Sequence, residues 1–138
     1  MNSSAARKWT TPATALLGWA GLFVHNVGEL PGHGIVGWEL LLPLMLTLVF
    51  VIGWFTRVQR LAAIGMLSLG VLNVIGSMSV LPLPFLPFSP EQTLGHYLFH
   101  GVYLSAQLPL IFTTLAWIRS HPRKNSYAEK RGAHSSNQ

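Results

Sequence analysis

The sequence has no cysteine and very little charge. Half of its 138 residues are hydrophobic and only 9% are charged, against about a quarter in soluble domains. The absence of cysteine excludes disulfides, thiolate metal sites and thiol redox chemistry. The shortage of charge excludes an ordinary water-solvated surface, because a domain this small needs charged side chains to stay in solution.

Charge is nearly absent from one long stretch of the chain. Between Val58 and Arg119 the only charged residues are Arg60 and Glu91. Uncharged spans of this length are solvated by lipid or by other helices. The composition therefore predicts an integral membrane protein, and the net charge of +5 does not indicate a nucleic-acid partner.

Apolar runs separated by prolines, glycines and charged residues predict an all-α fold, a bundle of four transmembrane helices. We expect these helices at about 12–29, 35–55, 61–81 and 90–119. Each run is close to the roughly 20 residues that cross a bilayer core. Pro12 after Thr11 and Pro90 after Ser89 are typical of a first helical position that follows an N-cap.

The basic residues predict the orientation of the bundle. Two Lys or Arg precede the first helix, two lie between the second and third helices, and five lie at or after the end of the fourth. The other two loops have none, so the positive-inside rule places both termini in the cytoplasm. Residues 1–11 then form a cytoplasmic tail, 12–119 the domain in the cell membrane, and 120–138 a basic, disordered cytoplasmic tail.

A cleaved signal peptide is the alternative interpretation of the first helix. Arg7 and Lys8 precede its apolar run, as basic residues do in signal peptides. No convincing small-x-small cleavage site follows that run, so we favour a helix that is retained. Cleavage would remove His25 from the mature protein.

The predicted orientation collects titratable residues at the outer end of the bundle. Four of the six histidines and three of the four acids fall there. They are His25, Glu29, His33, Glu39, Glu91, His96 and His100. Pro31 and Gly32 interrupt the first helix, so His33 is expected in solvent and not above Glu29. Titratable groups buried at membrane depth are costly and usually functional.

Small and polar residues recur at helical spacing on three helices. Such residues face the interior of a membrane bundle, because lipid cannot pair polar groups and small residues permit close packing. The residues predicted to pack the helices are Gly18, Gly21, Gly70, Asn73, Ser77 and Gln107. At a rise of about 1.5 Å per residue, the same helical spacing places His25 and His100 at similar depths in the membrane.

The outer cluster is a candidate metal or haem site. Neutral imidazoles beside a carboxylate suit zinc, copper or haem iron. The candidate ligands of a divalent metal are His25, Glu29, Glu39, His96 and His100. A haem b would take His25 and His100 as axial ligands, and Gly18 and Gly21 would leave room for the macrocycle. The alternative is that the histidines only form structural hydrogen bonds.

Three classes of function stay open. The first is a metal- or haem-binding membrane protein in electron transfer, metal handling or assembly of a larger metalloenzyme. The second is an accessory or structural subunit without a bound ion, in a homo-oligomer or a larger membrane complex. The third is a membrane zinc hydrolase with Glu29 or Glu39 as general base, or an oligomeric transporter gated by histidine protonation. The sequence contains no obvious nucleophile motif, so an enzyme is disfavoured.

Overall fold

The computed structural model describes residues 3–29, 37–78 and 93–122, and only the backbone at residues 3–7 and Glu29. The described residues form four α-helices. Helix α1 spans Ser3–Glu29, α2 spans Trp38–Trp54, α3 spans Gln59–Ser77 and α4 spans Leu94–Ser120. Within these described residues, the prediction of an all-α fold with four helices is confirmed.

The predicted start of the first helix is wrong. Helix α1 begins at Ser3, so most of the predicted tail 1–11 is helical and Pro12 lies inside the helix. A proline inside a helix has no N–H for the carbonyl four residues earlier, here that of Lys8. The indole Nε1 of Trp54 donates to this carbonyl at 3.0 Å. A tertiary contact therefore satisfies the carbonyl that Pro12 leaves without its helical partner.

The predicted start of the fourth helix is also wrong. Thr93 has an extended backbone and is the N-cap of α4. Its side-chain oxygen accepts a hydrogen bond from the backbone N–H of His96 at 3.3 Å, as N-cap residues do. The helix thus begins at Leu94 and not at Pro90, and the predicted cap at Ser89 lies outside the described residues.

The remaining boundaries differ less. Helix α2 begins at Trp38, after an extended Gly37, three residues later than predicted. Helix α4 ends at Ser120, one residue beyond the prediction. The predicted end of the third helix at 81 and the predicted disorder of the tail fall on residues 79–92 and 123–138, outside the described part of the chain.

Helix α4 packs along both α1 and α3, and these two contacts are the most extensive in the bundle. Helix α2 packs on α1 and α3. One buried cluster consists of Ala15, Trp54, Ala63, Met66 and Leu110. A second, nearer the end of α1 and the start of α4, consists of Leu22, Leu40 and Tyr103. The core is therefore thin, and α4 contributes to both of its parts.

The two ends of the bundle differ in charge. Every Lys and Arg whose side chain is described lies at the end where α2 turns into α3 and α4 finishes, namely Lys8, Arg57, Arg60 and Arg119. There Arg60 Nη1 donates to the carbonyl oxygen of His121. We call this the cationic end. The opposite end carries His25, His96 and His100, and we call it the histidine end.

Much of the surface is apolar. Helices α3 and α4 are long and apolar enough to cross a membrane, yet only 28% and 22% of their most apolar segments are buried. The apolar helix α2, with 17 residues, is shorter. Large side chains from three helices are more than half exposed, among them Ile52, Leu61, Leu72, Leu98 and Phe112. Water-soluble monomers rarely expose apolar surface this continuously.

The contact between α1 and α4 depends on Gly21. A Cβ at Gly21 would collide with the Cβ of Ala106, which cannot turn away, whereas a Cβ at Gly101 would meet nothing within 4 Å. We expect Gly21→Ala to lower the free energy of unfolding by about 1–3 kcal/mol. Gly101→Ala on α4 is the control and should be neutral or slightly stabilising. Thermal unfolding in detergent, followed by circular dichroism, measures both, and equal melting temperatures would contradict this packing.

Candidate functional site

Three histidines lie in contact at the histidine end. Helix α1 provides His25, and α4 provides His96 and His100, which are one turn apart. The ring centroids are 4.3 Å apart for His25 and His100, 4.6 Å for His96 and His100, and 6.5 Å for His25 and His96. We call these three residues the histidine cluster. The structure thus brings together three of the five predicted metal ligands.

The hydrogen bond of His100 determines its tautomer. The Nδ1 of His100 lies 2.7 Å from the backbone carbonyl oxygen of Ser77, and because a carbonyl can only accept, Nδ1 carries the proton. Ser77 is the last residue of α3, where carbonyls lack helical partners. Buried His100 therefore closes the end of α3, and its neutral form carries a lone pair on Nε2.

His25 is oriented in the same way by a neighbouring amide. Its Nδ1 lies 2.9 Å from Oδ1 of Asn26, so Nδ1 donates and the lone pair of neutral His25 is on Nε2. This Nε2 is buried and has no hydrogen-bond partner among the residues that the structure describes. A buried acceptor without a partner is unfavourable. Among the described residues of the cluster, the Nε2 of His25 is thus a buried nitrogen atom without a hydrogen-bond partner.

On the side of the cluster that faces the cationic end, a chain of hydrogen bonds joins three helices. Tyr103 donates from its hydroxyl to Asn73 Oδ1 at 2.9 Å, and Asn73 Nδ2 donates to Gln107 Oε1 at 3.4 Å. Gln107 Nε2 donates to the carbonyl oxygen of Gly18 at 2.7 Å. We call Gly18, Asn73, Tyr103 and Gln107 the polar ladder. The ring centroids of Tyr103 and His25 are 5.4 Å apart, so the ladder adjoins the histidine cluster through this ring contact.

The predicted packing glycines lie at helix contacts. A Cβ at Gly18 would come within 2.9 Å of Gln107 Oε1, and one at Gly70 within 3.1 Å of Ile111. Gly21 contacts Ala106 of α4. The space beside Gly18 and Gly21 is thus occupied by α4. The expectation that these two glycines leave room for a haem macrocycle is wrong, because helix packing removes that room.

Glu39 is the predicted carboxylate ligand whose side chain the structure describes, and it forms no metal-binding group with the described histidines. Glu39 is exposed in the first turn of α2, with its carboxylate beside the backbone of Gly37. The side chain of Glu29, and all of His33 and Glu91, lie outside the described part of the chain. Within 3–29, 37–78 and 93–122, no group of three or more His, Cys, Asp or Glu is arranged to hold a metal ion. A preassembled site is therefore not found there, since the imidazoles pack ring against ring.

Two polar contacts were missed by sequence reasoning. Asn26 orients His25, and its position inside an apolar run was the available signal. Thr14 and Thr113 share a hydrogen bond of 2.9 Å between α1 and α4. Threonine is common in apolar helices, so its spacing alone did not distinguish this pair.

No known family model matches the chain, and no curated protein or solved structure matches it significantly.

The polar ladder predicts coupled stability between α3 and α4. Asn73→Leu and Gln107→Leu should each lower the free energy of unfolding. The double variant should lose less unfolding free energy than the sum of the two single losses. Interhelical hydrogen bonds in membranes contribute about 0.6 kcal/mol on average and up to about 1.7 kcal/mol. A double-mutant cycle by unfolding in mixed micelles measures the coupling energy. The control cycle combines Gln107→Leu with Gln59→Leu, and Gln59 lies at the start of α3 outside the ladder. In this cycle the two losses of unfolding free energy should add.

Proposed function

We propose that the chain is a small multi-pass membrane protein with all four helices in the bilayer. The exposed apolar faces of α3 and α4 support this placement, since only about a quarter of either span is buried. Helix α2 with 17 residues is about 25 Å long, close to the thickness of a hydrocarbon core. Separation of the cationic end from the histidine end supports an orientation with the cations in the cytoplasm.

The absence of cysteine makes this topology directly testable. Trp38→Cys places a thiol at the histidine end and Thr56→Cys places one at the cationic end, and both positions are exposed. In intact cells a membrane-impermeant maleimide should label Trp38→Cys, and it should label Thr56→Cys only after permeabilisation. The reverse pattern would contradict the orientation, and labelling of both thiols in intact cells would contradict the membrane crossing between them.

We further propose that the histidine cluster binds a transition-metal ion, zinc or copper. The supporting observation is the buried Nε2 of His25, which has no partner among the described residues and belongs to a ring 4.3 Å from that of His100. Placing a titratable group inside a membrane bundle is costly. An ion at this nitrogen offsets the cost of burying the lone pair.

The anchoring of the imidazoles supports the same proposal. Histidines that ligate metals usually donate the other ring N–H to a carbonyl or carboxylate, which fixes the tautomer. His100 donates to Ser77 and His25 to Asn26 in this manner. Imidazole nitrogens suit zinc and copper. Binding of a shared zinc ion brings each Nε2 within about 2.0–2.1 Å of the metal.

Metal affinity of the cluster is measured on the full chain, purified with a histidine-free affinity tag and stripped of metal. Calorimetric titration with Zn²⁺ or Cu²⁺ should show saturable binding that His25→Ala weakens by more than tenfold. Asn26→Leu removes only the hydrogen bond that orients His25, and it should weaken metal binding about tenfold or more. His121→Ala, at the cationic end, is the matched control and should leave the affinity unchanged.

Proton competition gives a second measurement of the same site. Because neutral imidazole is the ligand, affinity should fall when the pH is lowered from about 7.5 to about 5.5. Equal losses in His25→Ala and His121→Ala, or no saturable binding by a folded protein, would refute metal binding at the cluster.

An accessory or structural subunit is the second candidate. The close ring contacts of the cluster and the mutual hydrogen bonds of the polar ladder favour it, since both stabilise the bundle without a ligand. This candidate predicts that His25→Ala binds no less metal than the unmodified chain. It also predicts a larger complex in mild detergent extracts of native membranes, which native electrophoresis would detect.

A further inference from the structure

A groove opens between α1 and α4 at the cationic end. Its volume is about 610 Å³, within the range of small-molecule sites. Thr10 and Thr11 of α1 line one side, and Thr113, Ala116 and Trp117 of α4 line the other. The histidine cluster and the polar ladder contribute no residue to this lining, so the groove is separate from the site described above.

The groove offers a mostly apolar wall. Thr113 has its hydroxyl engaged by Thr14 and by the carbonyl oxygen of Pro109. The hydroxyl of Ser120, also in the lining, donates to the carbonyl oxygen of Trp117. Trp117 stacks on His121 with ring centroids 4.5 Å apart and planes at 16°. The hydroxyls of Thr113 and Ser120 are therefore engaged within the chain, and the apolar part of the lining suits an acyl chain.

Two arginines lie near the mouth of the groove. Arg60 reaches the carbonyl oxygen of His121, which lines the groove. Arg119 lies three residues after the lining residue Ala116, and residues at this spacing are neighbours on a helix surface. In the described part of the chain, no carboxylate lies at this end to neutralise these groups. An anionic group at the mouth would satisfy this charge, and each basic residue contributes about 1 kcal/mol to attraction of anionic lipid.

We propose that this groove binds an anionic phospholipid, with an acyl chain against Ala116 and Trp117 and the phosphate near Arg60 and Arg119. The inference rests on the proposed membrane placement of the bundle. Exposed Trp9 lies at the same end, and Trp side chains are enriched at the level of lipid headgroups. The apolar wall and the cationic mouth thus match the two parts of one lipid molecule.

Native mass spectrometry of the full chain, released from nanodiscs with equal phosphatidylglycerol and phosphatidylcholine, tests the proposal. The unmodified chain should retain one phosphatidylglycerol in preference to phosphatidylcholine. Ala116→Phe fills the groove and should reduce retention about tenfold, whereas Ser105→Phe, on an exposed part of α4 outside the groove, should not. Circular dichroism establishes that both variants are folded.

The cations at the mouth are tested separately. Arg119→Gln should lower the preference for phosphatidylglycerol about fivefold, and Arg57→Gln, at the same end but between α2 and α3, should lower it less. Equal retention of the two lipids, or equal losses in Ala116→Phe and Ser105→Phe, would overturn the proposal. Saturable binding of inorganic phosphate to the lipid-free chain, unaffected by Ala116→Phe, would also overturn it.

These outcomes are distinguishable from failure of the membrane placement. If cysteine labelling shows no membrane crossing, the placement itself fails and the lipid site fails with it. If labelling shows the predicted crossing and no phosphatidylglycerol is retained, only the lipid site is refuted.

Discussion

The hydrogen bonds of the buried Gln107 amide are the interactions on which the bundle most depends. It donates to the backbone of α1 at Gly18 and accepts from Asn73 of α3, so one side chain of α4 joins three helices. The side chain is fully buried, and a polar group without partners there would be strongly unfavourable. The close approach at Gly18 and the order of the helices around α4 both follow from pairing this amide.

The same requirement explains how α1 tolerates a proline. Pro12 leaves the carbonyl of Lys8 without a helical donor, and the indole of Trp54 supplies one. Thr47 and Thr113 donate to the carbonyls of Pro43 and Pro109, but a proline frees the carbonyl four residues earlier, so these bonds pair the hydroxyls without replacing a lost donor. In an apolar environment a freed backbone group needs a partner such as the one that Trp54 provides. A tertiary contact thus permits α1 to continue through Pro12.

The two ends of the bundle have different chemistry, and the proposals follow from that difference. At one end, imidazoles from α1 and α4 meet with their Nδ1 atoms engaged and a lone pair of His25 buried, which suits a cation. At the other end, Arg60 and Arg119 lie near an apolar groove, which suits an anionic amphiphile. The polar ladder lies between the two and joins helices without forming part of either site.

Helix content, the segregation of charge and the list of titratable residues were predictable from the sequence, because periodicity and composition are local properties. The meeting of His25, His96 and His100 was predictable only as proximity, from helical spacing. Their ring contacts, the anchoring of His100 on Ser77 and the loss of room beside Gly21 were decided by the tertiary structure. So was the start of α1 before Pro12. These features depend on how far each helix rotates and how closely it packs against α4, and no local pattern encodes the rotation of one helix against another.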